Sequence, residues 1–125
     1  MTKEEAIKKH CEMWLDIAKK TRSAGIGVSK DYYFISHGIT ELPMNNCWMC
    51  EYTRQLSPSG VYLDCNLCPI DWGSKSRSGK ANCLSWKSPF KTWHNLMMRG
   101  EGTRVSMYFE LAELAEMIAN LPVRR

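Results

Sequence analysis

Cysteine supplies the conspicuous chemistry of this chain. Five of its six cysteines stand between residues 47 and 83, as Cys47-x2-Cys50, Cys65-x2-Cys68 and Cys83. Fourteen residues separate the two pairs, and fourteen more precede Cys83. A C-x2-C turn brings two thiolates onto one ion from a short loop, and a second such turn completes a tetrahedral shell. Four soft thiolates with no open position suit zinc, which needs no redox partner. The expected ligands are Cys47, Cys50, Cys65 and Cys68, with Cys83 as the alternative for Cys65 or Cys68. A disulfide framework would need an oxidising compartment, and Met1-Thr-Lys-Glu-Glu5 carries no signal-peptide core. A thioredoxin-like pair would open a helix in a βαβ unit, and two separated pairs do not read that way. Iron in a rubredoxin-like or iron–sulfur site is chemically possible, but nothing marks an electron-transfer surface. Cys11 falls on a predicted helix face, where a cysteine acts as a small apolar side chain.

The histidines, His10, His37 and His94, sit in no hydrolase signature. A His94–Cys83 pair is conceivable, but a surface or core histidine is the simpler reading. With a full metal shell and no nucleophile–base pair, the chain reads as non-enzymatic. Charge is unevenly placed. Residues 72–100 hold Lys75, Arg77, Lys80, Lys87, Lys91 and Arg99 and no acid, so +6 of charge sits here against a net +4 for the chain. Part of that excess can balance zinc with four thiolates, formally −2. The same segment interleaves Trp72, Trp86, Phe90 and Trp93 among its cations, as a strand-binding groove would. Trp72, Lys75, Arg77, Lys80, Trp86 and Lys87 are therefore the candidate partner-contacting residues.

These residues must be held by something. At 125 residues the chain reads as one domain, with a helical part at 1–46, a metal module at 47–87 and helices at 88–125. No apolar run approaches the roughly 20 residues that span a bilayer, so a cytoplasmic protein with no membrane role is expected. Thr2-Lys-Glu-Glu5 fits a capping box, and a helix should follow to about Thr21, with Ile7, Cys11, Trp14 and Ala18 as its apolar stripe. Ser23–Gly27 reads as a loop. Ser29 could cap a short helix ended by His37-Gly38, although Tyr32–Ile35 could also be a strand. A helical turn or two should follow Cys50, and Val61–Asp64 reads as an extended piece. Pro69 favours a chain reversal, and Trp72–Lys80 a polar loop. Ser88-Pro89 opens a helix to about Arg99, with Phe90, Trp93, Leu96 and Met97 inward and Gly100 at its end. Thr103 should cap a last helix to Leu121, with Tyr108, Leu111, Leu114, Ala115, Ile118 and Leu121 inward. The expected class is α+β and helix-rich: a zinc-stabilised domain with a central four-cysteine metal module between N- and C-terminal helices.

The pattern Cys47-x2-Cys50-Glu-Tyr, Cys65-x2-Cys68-Pro, Cys83 and Ser88-Pro-Phe-x2-Trp93 resembles small cysteine-rich proteins of bacteriophage and prophage origin. The resemblance covers about residues 47–93 and implies a phage protein with a zinc site, in which the isolated cysteine can serve as a ligand. It supplies no reaction. Glu51 and Pro69 stand where a zinc knuckle would carry glycine. The function expected is that of a zinc-stapled binding protein that occupies a host protein, such as an enzyme or defence factor. Eight methionines and five tryptophans favour such contact surfaces. Nucleic-acid binding through residues 72–100 is the alternative.

Overall fold

The structure is a computed structural model; it describes residues 1–57, 65–73, 83–85 and 88–124, and only the backbone of Asn66. Among the described residues six helices carry the fold: α1 Lys3–Ala24, α2 Lys30–Ser36, α3 Trp48–Gln55, α4 Pro89–Met98, α5 Glu101–Ser106 and α6 Tyr108–Ala119. Short 3-10 turns lie at Met44–Asn46 and Cys65–Leu67. The described residues form no strand. The β component expected of an α+β fold reduces to one antiparallel bridge between Ile70 and Val123. Val61–Asp64, read as extended, lies outside the described residues.

The capping box at the start of α1 is present in both directions. Glu5 N–H donates to Thr2 Oγ1 at 3.1 Å, and Thr2 N–H to the Glu5 carboxylate at 3.0 Å. The helix runs past Thr21 and stops at Gly25, whose φ of 67° lets its N–H turn back to Thr21 O. Its buried face is Ala6, His10, Met13, Trp14, Ile17, Ala18 and Thr21. The face expected from Ile7 and Cys11 is thus rotated by about one residue, because the helix buries polar His10 and Thr21, and both are bonded. Thr21 Oγ1 accepts from Val28 N–H at 3.1 Å, and His10 Nε2 pairs with Ile118 O at 3.1 Å.

Ser29 caps α2 through Tyr32 N–H at 3.1 Å, which settles this stretch as helix. Ser88 takes the N-cap position of α4 and Pro89 follows, but the Ser88 hydroxyl makes no capping bond. Trp93 and Leu96 are buried and Phe90 and Met97 partly so, as their spacing requires. The last helix differs from expectation. Thr103 lies inside α5 rather than capping a single long helix, and the chain breaks at Met107 before α6 begins. Tyr108, placed on the core face, is 37% exposed, whereas Leu111, Ala115 and Ile118 are buried. The kink resets the helical phase, so a stripe counted through from Thr103 misplaces its first member.

α6 packs along α1 and against α4, and α3 lies across α1. One buried cluster joins Ala6 and Trp14 of α1, Phe34 of α2, Met49 of α3, Ile70, Trp72, Trp93 of α4 and Leu111 of α6. Gly27 makes the closest passage. A Cβ there would sit 2.6 Å from Leu111 Cδ1 and 2.7 Å from Met97 Sδ. Its backbone exchanges two bonds with Arg104, N–H to carbonyl and carbonyl from guanidinium Nε, both 2.9 Å.

Candidate metal centre

All five central cysteines reach one place. Cys47, Cys50, Cys65, Cys68 and Cys83 line a cavity of about 20 Å³, with Met49, Thr53 and Trp72 beside them among the described residues. Three separate segments bring them there. Cys47 is the N-cap of α3, and its sulfur accepts the Cys50 N–H at 3.4 Å. Cys65 opens the second 3-10 turn, with Cys68 N–H closing it on Cys65 O at 3.2 Å. That turn is tied to the chain's last described residues. Asp71 N–H donates to Pro122 O, Arg124 N–H to Pro69 O, and the Arg124 guanidinium to Cys65 O. Cys83 arrives on a turn just before α4. Cys11 stays apart, its thiol donating to Ala119 O at 3.2 Å. All six cysteines are free thiols.

The sulfurs are not equivalent. Cys47 accepts a bond from the Cys50 thiol and further ones from the N–H groups of Cys50 and Met49, all of which draw it toward thiolate. Cys50 is pushed upward, first because its proton serves that bond and then by burial. It also interacts with the Asn45 side chain, whose amide is the donor to a sulfur. Burial raises Cys68, against N–H donors from Ile70 and the Trp72 indole. Cys83 has no such donor among the described residues: burial, and then its thiol neighbours Cys47, Cys65 and Cys68, push it up to about 12. Two cations offset the crowding of sulfurs. Lys30 acts on Cys47 and Cys83, and Arg124 on Cys68.

This donor set fits a thiolate metal. Soft sulfur ligands converge on a volume of the order of a single ion or water, which needs roughly 10–15 Å³. Three of them carry the N–H bonds that orient and stabilise metal-bound thiolates. Among the described residues, however, no three His, Cys, Asp or Glu side chains already stand as a coordination set, so the sulfurs would have to draw together around an ion.

Trp72 is a correction. Expected as an exposed anchor for a partner, it is 3% exposed, its indole bonded to Cys68 and its ring set edge-on to His10 at 5.9 Å. It belongs to the shell around the sulfurs. Lys75, Arg77, Lys80, Trp86 and Lys87 lie outside the described residues. His94 is exposed and lies against Phe90. Spacing did not reveal Lys30, Asn45 or Arg124, which reach the cluster from outside the cysteine segment. One signal existed: Asn45 and Asn46 directly before Cys47 adopt φ of 56° and 52°, a left-handed conformation that asparagine tolerates best. No protein-family model, curated protein or solved structure matches this chain.

Proposed function

We propose that this chain is a small zinc-stapled binding protein that acts without turnover by occupying another protein. The observation that carries this reading is the convergence of five thiols from three segments on one ion-sized cavity. Zinc, when bound, supplies structural cross-linking; Cys47, Cys50 and Cys68 would hold it, with Cys65 or Cys83 as the fourth ligand. A shell of four thiolates leaves no position for water or substrate, which favours a binder over an enzyme. The burial of Trp72 removes one stacking residue from the nucleic-acid alternative. A phage-encoded protein acting in the host cytoplasm, against an enzyme or defence factor, remains the biological setting proposed.

The test begins with elemental analysis of protein purified under reducing conditions, where one zinc per chain is expected. Absence of metal, or disulfides across the pairs, overturns the reading. Partner class is then decided by neutralising Lys75, Arg77 and Lys80 together. Capture of a host protein from lysate should survive nuclease and salt washing, with association slowed and dissociation little changed. Tight binding to random single strands at physiological salt, lost in the triple variant, would replace the protein reading with the nucleic-acid one.

A further inference from the structure

The five clustered thiols do not all border the same space. Beside their cavity of about 20 Å³ lies a larger one of about 460 Å³. Cys47, Cys50 and Cys83 line both, whereas Cys65 and Cys68 are absent from the lining of the larger one. A water occupies about 30 Å³ of liquid, so a small solute has room to reach the first three sulfurs from this side. Lys30, the counter-charge of Cys47 and Cys83, lines the larger cavity as well.

The two C-x2-C pairs also differ in how their sulfurs are held. Cys47 is the N-cap of α3, and its sulfur accepts both the Cys50 N–H, at 3.4 Å, and the Cys50 thiol. These two sulfurs are hydrogen-bonded neighbours at the start of a helix, a setting in which C-x2-C dithiols are reactive. In the second pair the Cys68 sulfur is bonded instead to the Ile70 N–H and the Trp72 indole. We propose, resting on the zinc reading above, that Cys47 and Cys50 form a redox release for the site: a hydroperoxide entering through the larger cavity joins them in a disulfide, and the shell loses two ligands. The Cys47 sulfur attacks an oxygen of the peroxide. An S–O bond forms as the O–O bond breaks, leaving a sulfenic acid and an alcohol, or water where the oxidant is hydrogen peroxide. The Cys50 sulfur then attacks the Cys47 sulfur. The S–S bond forms, the S–O bond breaks, and the hydroxyl leaves as water. The cysteine pair is oxidised by two electrons and the peroxide reduced by two. The two protons needed come from the thiols, or from solvent where the sulfurs start as thiolate ligands. Cys65, Cys68 and Cys83 remain, one thiolate short of a closed shell. A thiol reductant reverses the disulfide by exchange.

The test exposes the intact, zinc-loaded protein to hydrogen peroxide. Zinc release is read with a chromogenic chelator, and disulfides by alkylation and peptide mass mapping without reductant. One zinc should be released for each Cys47–Cys50 disulfide formed, Cys65 and Cys68 should still be alkylated, and dithiothreitol should restore zinc uptake. Cys50→His keeps a fourth metal ligand but removes the partner sulfur, so it should bind zinc and hold it through the same exposure. If that variant does not load, the disulfide map of the wild type decides alone. A first disulfide through Cys65, Cys68 or Cys83 would overturn the proposal. So would a Cys47–Cys50 disulfide with zinc retained, zinc released without any disulfide, or release from Cys50→His as fast as from wild type. Protein that carries no zinc before oxidation sinks the zinc reading instead, and the map then still decides whether Cys47 and Cys50 are the pair that oxidises.

Discussion

Cys83 shows what a single position decides. It sits among four other thiols with no N–H donor among the described residues, so burial and its neighbours hold its proton firmly. Cys47 and Cys68 do have N–H donors, so on the proposed zinc reading Cys47→Ser and Cys68→Ser should abolish zinc uptake, measured by elemental analysis. Cys65→Ser and Cys83→Ser should differ: whichever keeps a full equivalent of zinc is the thiol left over. Trp72→Phe keeps the ring but removes the N–H bonded to Cys68. It should lower zinc affinity by about tenfold in chelator competition, the usual cost of losing a group that orients a ligand. His10 makes a separate prediction. Burial holds its imidazole down at about 4 against an ordinary 6.5. The unfolded chain therefore binds a proton that the folded chain refuses, so stability falls as pH drops through this window. The full difference is about 3 kcal/mol by the pH-linkage relation. Since acid also protonates the thiols, the measurement is the gap between wild type and His10→Leu in urea denaturation, which should narrow or invert from pH 7 to pH 4.5. The thiols were legible from spacing, but their differences were not. Those depend on donors such as Asn45 and the Trp72 indole, brought in by folding and invisible to a count along the chain.

Helices were the legible elements wherever a cap and a periodic stripe coincided. Thr2 with Glu5, Ser29, and Ser88-Pro89 all mark real starts. Legibility failed where the stripe contained polar residues, as at His10 and Thr21, and where a break intervened, as at Met107. In the first case tertiary bonds decided what hydropathy could not. Ile118 O reaches His10, and Val28 N–H reaches Thr21. The second C-x2-C pair forms a 3-10 turn, whereas the first, with the same spacing, opens an α-helix, so spacing alone did not decide the local structure. Gly27, read as part of a loop, is an interhelical spacer. Gly27→Ala should cost about 1–3 kcal/mol in chemical denaturation, since Leu111 and Met97 must both withdraw from the added methyl. Thr2→Ala, on the exposed start of α1, should cost only about 1 kcal/mol.

At the scale of the whole molecule, the sulfur cluster and the helical core share their walls. Met49 and Trp72 line the cavity and belong to the buried cluster. Metal removal should therefore be felt beyond the cysteine turns. Chelation is expected to lower the melting temperature and to raise hydrogen exchange in α3 and around Ile70 and Trp72 first, since metal binding and folding share free energy. Exchange unchanged on chelation would show a core indifferent to the site. The bond from His10 to Ile118 O spans 108 residues, and it has a consequence in time. Chains are made at about 5–20 residues per second, so the inner face of α1 leaves the ribosome roughly 5–20 s before the helix that covers it. All five clustered cysteines emerge within that wait. If the proposed zinc site is right, the newborn protein can gather the ion while its longest helix is still uncovered, and the rate of zinc supply during synthesis should set how much of it escapes aggregation.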